Sequence, residues 1–547
     1  MKKTIIPILC IVFSGLVSKV TAQNDFEIVK NVDIFISVLN ELNDKYADEI
    51  SPGELTQTAI KAMLKSLDPY TVYYPESEIE SYRMRNTSES GDVDITLKEI
   101  GKQLVITEMV EDGPSAKAGL RVGDRILSVN GQSSENRGIE AVNIAMSGQP
   151  NTTYSVEVFR PTDGKNLTFK VKREKVKLPN IPYSGIIGDK VGYIKLNQFL
   201  EKAGSEVYEA FNKLKDEGME YLIIDLRDNG GGLLGEAVNI IDLFVGKDVT
   251  VVETKGKIAE MNNTYKTRNV AVDADIPIVV LVNEHSASAS EIVSGTLQDL
   301  DRAVIVGHKS FGKGLVQKVY SMDYNTSMKI TVSKYYIPSG RCVQNIEYFD
   351  RDTTKGGYKI PDSLAVAYKT KNGRTVYDKG GVEPDVAVPE ERVPEVLSAL
   401  IEEQAIFDFA NDYRAKHETI PEADKFFVDD ALYNEFLQYL KTNKYTYTTA
   451  LEKKLEELKS AAEEEKSFSG IQNAYNQLKT QLGNLKTQEL TTYKSDIARV
   501  LTQEIVSRYY YSTGKLINSL HHDSYIETAK SVLLNPSRYK SILSPKK

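Results

Sequence analysis

The sequence predicts a multidomain α+β protein, with an α/β core, a β-rich domain inserted before it and helical regions at both ends. From residue 181 onward, apolar strands alternate with amphipathic helices, a rhythm typical of a parallel sheet covered by helices. Short strands and turn residues fill residues 88–173, whereas helical spacing with many Glu and Lys residues follows residue 393. A chain of 547 residues is long enough for three or four domains.

Residues 1–22 are predicted to be a signal peptide. Two early lysines precede an apolar run over residues 5–17, and the small-residue cleavage site Val20-Thr21-Ala22 follows. The run is too short to be a permanent membrane anchor. We therefore expect an exported protein that resides in the periplasm after cleavage of this segment.

The composition also limits the partners of the protein. Its net charge is −9 at pH 7 and no basic stripe stands out, so a nucleic-acid-binding protein is excluded. Hydrophobic residues make up 41% of the chain, enough for sizeable cores. Cys10 lies inside the predicted signal peptide, which leaves Cys342 alone and predicts no internal disulfide.

Residues 23–87 are predicted to form an N-terminal helical region. Apolar residues recur at helical spacing over residues 29–39 and again over residues 55–64. Pro69 ends this pattern, because the residue before a proline is pushed out of the helical conformation.

Residues 88–175 are predicted to form the β-rich domain, and two strings within them resemble a PDZ domain. GPSAKAGL, starting at Gly113, predicts a turn and a short helix, and GDRILSVNG, starting at Gly123, predicts a strand that ends in a tight turn. The resemblance implies binding of an extended peptide as an added strand, with capture of its terminal carboxylate in a loop. Where the family carries Gly-Ile-Gly, this chain has Asp92-Val93-Asp94, and we expect these two carboxylates to repel another carboxylate.

Residues 176–390 are predicted to form the α/β core. Strands over residues 191–196 and 221–226 enclose a helix over residues 203–214, and the glycine turn 229–232 follows the second strand. Consecutive glycines at a strand end let backbone N–H groups approach a bound group, as an oxyanion hole requires. A phosphate-binding loop is excluded because no Gly-Lys-Ser/Thr follows.

A serine-rich turn in this core is the main candidate for catalysis. The strand over residues 278–282 leads into Ser286–Ser290, and a helix follows, so a hydroxyl lies beside the free N–H groups of a helix N-terminus. Two hypotheses remain open from the residues alone. In one, Lys313 between two glycines is desolvated, so that its pKa falls and it accepts the serine proton. In the other, His285 or His308 is the base of a Ser-His-Asp triad.

The motif SASASEI, followed by LQD and by FGKG with VQ beyond it, resembles the carboxyl-terminal processing peptidases, or tail-specific proteases. These are Ser/Lys endopeptidases. The resemblance implies that Ser288 is the nucleophile and Lys313 the general base. It also implies that Gln317 orients the lysine, and an offset of four residues predicts a helix or a tight turn between them.

The same resemblance assigns oxyanion binding to the backbone N–H groups of Gly231 and Ala289, with Gly232 as a neighbouring alternative. It implies neither a metal nor a cofactor. The predicted function is an exported serine endopeptidase that cleaves unfolded or C-terminal segments of exported proteins through an acyl-enzyme. The alternative is a scaffold of PDZ and peptidase folds that binds peptides without cutting them.

Residues 391–547 are predicted to form a C-terminal helical domain. Residues 450–485 lack proline, and apolar residues recur at helical spacing from residue 497 to residue 506. The domain is long enough to fold as a unit of its own. Three hypotheses for its role are homo-oligomer formation, the docking of an adaptor or regulatory protein, and substrate gating.

Overall fold

The computed structural model describes residues 6–76, 78–79, 89–90, 93–174, 176–177, 179–348, 357–378, 380–445 and 449–545. Two compact units make up the chain, the first formed by residues 1–77, 318–331 and 348–356 and the second by the remainder. Residues 1–5 of the predicted signal peptide lie outside the described residues, and residues 6–22 are described only as helical backbone. No helix in the described part of the chain combines the length and apolar character needed to cross a bilayer.

The first unit contains helices α1 (Ile6–Lys45) and α2 (Pro52–Lys65) and strand β1 (Val72–Tyr74). Helix α2 begins at a proline that follows Ser51, whose hydroxyl accepts the Glu54 N–H. Beyond the helix, the buried Asp68 carboxylate accepts the N–H groups of Tyr70 and Thr71 and fixes the turn that starts β1. Strand β1 pairs antiparallel with residues 327–329.

The β-rich domain in the second unit is an antiparallel sheet with two short helices. Its elements are β2 (Glu89–Ser90), β3 (Ile95–Ile100), β4 (Gln103–Met109), α3 (Pro114–Ala118), β5 (Arg125–Val129), β6 (Gln132–Ser133), α4 (Ile139–Met146), β7 (Thr153–Arg160), β8 (Lys165–Lys172) and β9 (Val176–Lys177). The strand order is β3-β4-β5-β7-β8, with β6 paired to β5, while β2 pairs with β9. Alternate residues of β7 are buried, as expected for a sheet with one face on a core.

The α/β core contains fourteen of the described strands and three helices. They are β10 (Tyr183–Ile186), β11 (Val191–Lys195), α5 (Ala203–Asp216), β12 (Tyr221–Asp225), α6 (Leu234–Asp242), β13 (Thr250–Gly256), β14 (Asn263–Lys266), β15 (Ile278–Val282), α7 (Ala289–Asp299), β16 (Val304–Gly307), β17 (Leu315–Met322), β18 (Thr326–Tyr336), β19 (Ile346–Glu347), β20 (Tyr358–Lys359), β21 (Ala367–Lys369), β22 (Thr375–Tyr377) and β23 (Val386–Ala387). The central sheet has the order β10-β11-β12-β15-β16-β23, and all its pairs except β10 with β11 are parallel.

The central strands are buried on both faces, which explains their continuous apolar sequence. Helices α5, α6 and α7 cover one face. The other face is covered by α14 (Ser524–Leu533) and α15 (Pro536–Ile542), the last two helices of the described chain. The helices between the core and α14 are α8 (Glu395–Glu402), α9 (Ala405–Lys416), α10 (Asp430–Thr442), α11 (Ala450–Glu464), α12 (Phe468–Thr492) and α13 (Lys494–Ser519).

Within the predicted C-terminal helical domain, residues 391–547, the helices pack in two different environments. Helices α8, α9, α10 and α13 share one hydrophobic core, and α11 packs against α12 as a hairpin. In contrast, Ile526, Ala529 and Val532 of α14 are buried against strands β11, β12, β15 and β16. Helical periodicity shows that α14 has an apolar face but does not say which surface that face covers.

Candidate active site

Ser288 lies at the turn between strand β15 and helix α7. Its backbone has φ 57° and ψ −112°, a combination that residues other than glycine rarely adopt. Such strain persists only where the surroundings impose it, and it is common at catalytic turns. A sharp strand-to-helix turn of this kind also presents the side chain outward beside the first N–H groups of the helix.

Burial and hydrogen bonding distinguish Ser288 from its two neighbouring serines. The Ser286 hydroxyl donates to Leu226 O at 2.8 Å, and the Ser290 hydroxyl donates to Asn229 O at 2.8 Å. Both of these serines are fully buried, whereas Ser288 is partly exposed. The outer two serines thus attach the turn to the end of β12, and the middle one faces the accessible side.

A buried carboxylate joins the serine turn to the lysine loop. Oε2 of Glu291 accepts the backbone N–H of Ser288 and that of Lys313, each at 2.8 Å. Its Oε1 accepts the Gly312 N–H at 2.7 Å and the Ser310 hydroxyl at 2.6 Å. One side chain therefore fixes the backbones of both predicted catalytic residues, which are far apart in sequence.

Glu291 was not predicted as a site residue, although the sequence carries a signal for it. An acid three residues after a serine at a helix start is the capping-box pattern, and its carboxylate does accept the N–H of Ser288. Burial raises the pKa of the Glu291 carboxyl, and the four hydrogen bonds oppose that shift. The bonds to residues 310–313 have no local sequence signal, because they depend on how β16 lies beside β15.

Tyr335 makes a second connection between the same two segments. Its hydroxyl donates to Ser288 O at 3.2 Å, and its backbone N–H donates to Gly314 O at 2.9 Å. The Tyr335 side chain is almost fully buried. The Tyr335 side chain therefore hydrogen-bonds to the serine turn, while its backbone in strand β18 hydrogen-bonds to the lysine loop.

The glycine turn after β12 lies directly against Ser288. A Cβ atom added to Gly231 would lie 2.7 Å from Ala287 O and 2.8 Å from Ser288 Cβ. The φ of Gly231 is 101°, so glycine is needed there both for space and for conformation. Consecutive glycines at a strand end predicted only a close approach to a bound group, and the family resemblance implied that Gly231 and Ala289 share one site.

The two predicted oxyanion donors differ in their hydrogen bonding. The Gly231 N–H donates to Asn229 Oδ1 at 2.9 Å, which closes a tight turn. Ala289 is the first residue of α7, and the first N–H groups of a helix have no partner within the helix. The Ala289 N–H therefore lies at the helix N-terminus, directly after Ser288.

Gly231→Ala is expected to lower kcat by about 100-fold, because the added methyl group must displace the serine turn. Gly230→Ala is the matched control, since nothing lies within 4 Å of a Cβ at that position. Steady-state kinetics on an unfolded protein substrate would compare the two variants. Equal kcat values for both would show that the contact between the turns has no influence on catalysis.

The two histidines of the triad hypothesis lie elsewhere. The His285 side chain is exposed, 3.9 Å from Glu284. His308 contacts Val388 O through Nε2 at 2.9 Å and the Tyr525 hydroxyl through Nδ1 at 3.0 Å. The ring nitrogens of His308 are thus engaged by the segment after β23 and by α14, and no Ser-His-Asp arrangement forms at Ser288 among the described residues.

Lys313 and Gln317 are not related by a helix or a tight turn, so that part of the prediction is wrong. Lys313 lies in the loop before β17, and Gln317 is the third residue of β17. Both side chains are partly buried. In an extended strand each residue advances about 3.3 Å, so the backbones of these two residues lie well apart. Contact between their side chains requires both side chains to extend toward each other.

An ion-pair network below the glycine turn was also not predicted. Arg227 contacts Asp225 at 2.6 Å and Asp523 at 2.8 Å, and its guanidinium lies 4.6 Å from the Tyr525 ring centroid. Burial alone would raise the pKa of Asp225, but the charges of Arg227 and Lys195 outweigh it and hold that pKa well below its usual range. Asp225 therefore contributes stability above about pH 4 that is lost as the pH falls below that value.

The β-rich domain holds Asp94 in a different role from the one predicted. Asp94 is buried, and its carboxylate accepts the N–H of Ser115 at 2.7 Å and the Ser115 hydroxyl at 2.5 Å. It therefore faces the start of α3, where it fixes the N-terminus of that helix. Asp92 lies outside the described residues.

Three family models match successive parts of the chain. Peptidase family S41 matches residues 190–353, a PDZ domain matches residues 105–158, and "Probable PDZ-protease, C-terminal helical domain" matches residues 396–533. The first match contains the serine turn, the glycine turn and the lysine loop.

Two curated relatives agree with these matches. The carboxy-terminal-processing protease of Bartonella bacilliformis is 31% identical over 335 residues, which are 60% of this chain and 76% of that protein. A probable CtpA-like serine protease of Staphylococcus aureus is 34% identical over 320 residues, 57% of this chain and 62% of that protein. The solved photosystem II D1 C-terminal processing protease aligns at 24% identity with a TM-score of 0.38, over 66% of this chain and 93% of its own.

The hypothesis of a scaffold that binds without cutting does not agree with these relatives, which are proteases. The identity to the Bartonella protein and the share of it that is covered show the family. The chain belongs to peptidase family S41 and is a serine protease of the carboxy-terminal-processing type that carries a PDZ domain.

Proposed function

We propose that the protein is an exported Ser/Lys endopeptidase that cleaves unfolded or C-terminal segments of other exported polypeptides, with Ser288 as nucleophile and Lys313 as general base. The observation that carries this assignment is the Glu291 carboxylate, whose Oε2 accepts the N–H groups of both residues. The partly exposed position of Ser288 between two buried serines supports it.

The proposed reaction proceeds through an acyl-enzyme. Ser288 Oγ bonds to the peptide carbonyl carbon while its proton passes to Nζ of uncharged Lys313. The C–N bond then breaks, and Lys313 returns that proton to the leaving amine. In the second half, water attacks the ester carbonyl, gives its proton to Lys313, and the Ser288 alkoxide leaves and regains the proton. Gln317 orients the lysine amine by hydrogen bonding.

The N–H groups of Ala289 and Gly231 are proposed to bind the oxyanion in both halves. Ala289 offers the first N–H of α7, together with the positive end of the helix dipole. Gly231 N–H must be shared with Asn229 Oδ1 or released from it when the oxyanion forms. Substrate binding is therefore expected to complete this part of the site.

Ser288→Ala and Lys313→Ala are each expected to reduce cleavage of unfolded casein by at least about 1000-fold. Ser290→Ala is the matched control from the same turn. It removes a structural hydrogen bond, so it should lower the free energy of unfolding by about 1 kcal/mol and keep kcat. Fragments are quantified by mass spectrometry, and casein cleavage by Ser288→Ala at the native rate would refute the assignment.

Export is part of the proposal and has its own measurement. Cleavage after Ala22 predicts that the mature protein begins at Gln23. N-terminal sequencing of protein from fractionated cells gives both the cleavage site and the compartment. An uncleaved N-terminus in the cytoplasmic fraction would rule out export.

A further inference from the structure

The hairpin formed by helices α11 and α12 carries an apolar face that the protease reaction does not use. Four leucines on it remain about half exposed: Leu451 at 62%, Leu458 at 48%, Leu478 at 46% and Leu485 at 52%. In each helix the two leucines are seven residues apart, or about two turns, so they lie on one face. Exposed leucines grouped in this way mark an interaction surface.

The contacts inside the hairpin establish how the two helices are aligned. Glu452 pairs with Lys486 at 3.0 Å, and Glu456 pairs with Lys479 at 3.0 Å. Leu455, Ala462 and Tyr475 are buried residues of the two helices. Counting about 100° per residue from these contacts places both leucine pairs on the same side of the hairpin.

This alignment makes the four leucines the corners of a rectangle. The ion pairs place Leu451 level with Leu485 and Leu458 level with Leu478. The rectangle is about 10 Å long, from seven residues at 1.5 Å each, and about 8–10 Å wide, the usual distance between packed helices. A two-fold rotation in the plane of such a rectangle places leucine on leucine, so the face is complementary to itself.

The charges near the leucines fit the same arrangement. On α12, the exposed neighbours Ala474, Gln477, Gln481 and Gln488 carry no charge. On α11, the cationic side chain beside the leucines is Lys454, and it forms an ion pair with Glu457 at 2.7 Å. Two copies can therefore meet here without bringing unpaired like charges together.

We propose that the α11–α12 hairpin is a dimer interface at which a second copy of this chain packs face to face, forming a four-helix arrangement around the four leucines. Closed two-fold pairing is the common form of self-association, and it requires a self-complementary patch of this kind. This interface is independent of the proposed Ser288 and Lys313 chemistry. A face of two short helices is small, so the affinity is expected in the micromolar range.

The test is sedimentation velocity of the mature protein from about 1 to about 100 μM, comparing the native chain with Leu458→Glu/Leu478→Glu. The native chain is expected to double in mass over this range, while the variant keeps half that mass. Ser460→Glu, an exposed site on another side of α11, is the control and should associate like the native chain. A native chain that stays monomeric, or a double variant that still associates, would overturn the proposal.

A second measurement does not depend on the glutamate variants. Gln481→Cys places a thiol between Leu478 and Leu485, near the proposed two-fold axis, and a short bismaleimide should link two such chains covalently. Ser460→Cys should not be linked, and the native chain with its partly buried Cys342 provides the blank. Linking of the Ser460→Cys chain in preference to the Gln481→Cys chain would place the contact elsewhere.

Discussion

Glu291→Ala is expected to abolish peptide hydrolysis and to lower the free energy of unfolding by about 3–5 kcal/mol. The carboxylate accepts four hydrogen bonds inside the protein. Without it, three backbone N–H groups and one hydroxyl lose their acceptor in a buried place. The Ser288 turn then loses its link to the Lys313 loop, and a displacement of about 1 Å between reacting groups costs about 100-fold in rate.

Glu291→Gln separates the positioning role of this residue from its structural role. The amide has one acceptor oxygen, which can still serve Ser288 and Lys313, while its NH₂ group then faces Gly312 N–H. We expect an intermediate kcat, an unchanged KM and a smaller loss of stability than in the alanine variant. Ser310→Ala, which removes a single donor to the same carboxylate, is the control and should keep most of the kcat.

The measurements are kcat, KM and thermal unfolding for the three variants, at a temperature at which all are folded. If Glu291→Ala were folded and kept the native kcat, Glu291 would have no role in placing the two residues. If it lost activity while Ser288→Ala and Lys313→Ala stayed active, the carboxylate would be important but the proposed dyad would be wrong.

Deleting residues 520–547 is expected to prevent folding of the whole peptidase core, although these residues lie more than 200 positions beyond Ser288. Helix α14 buries Ile526, Ala529, Val532 and Leu533 against one face of the central sheet. Its removal would expose the apolar residues of that face, which are Val191, Tyr193, Ile223, Val279, Leu281, Val304 and Val306.

The expected loss is larger than the stability of an ordinary domain. Each large apolar side chain contributes about 1.5–3 kcal/mol by its burial, and seven are exposed on the sheet alone. A typical domain is stable by about 5–15 kcal/mol. The deletion also removes Asp523 and thus leaves the buried Arg227 with one carboxylate fewer. Insoluble protein without protease activity is the expected result.

Soluble yield, thermal unfolding and casein cleavage check this prediction. Deletion of residues 545–547, which lie beyond α15, is the matched control and should behave as the native chain. Adding residues 520–547 as a separate peptide during refolding should restore part of the activity. A truncated chain that is soluble, cooperatively folded and active would show that the sheet does not need this cover.

Local sequence patterns were sufficient to predict much of the fold. The apolar runs of β15 and β16 predict strands buried on both faces, and the structure confirms a parallel central sheet. The strings GPSAKAGL and GDRILSVNG predict a small antiparallel domain, which is confirmed by the sheet of β3 to β8 and by the PDZ match. These predictions succeed because each depends on residues within one or two elements.

Local patterns are less informative where a residue's partner lies far away in the chain. The four-residue offset between Lys313 and Gln317 predicted a helix or turn, but residue 317 belongs to a strand. The expectation that the acidic loop repels a carboxylate stays a prediction, but the structure adds that Asp94 accepts hydrogen bonds from Ser115. Sequence spacing alone does not give the local conformation at either position, because that conformation depends on the neighbouring strand or helix.

The sequence by itself determined the family, the layered α/β core and the small-residue turn that presents Ser288 beside a helix N-terminus. Only the tertiary structure decided that Glu291 holds that turn to the Lys313 loop, that His308 faces Tyr525, and that α14 completes the central sheet. Periodicity and turn residues encode the local conformation and which face is apolar. The surfaces that meet are chosen by packing across hundreds of residues, where a buried group is stable only if a distant part of the chain supplies its partner.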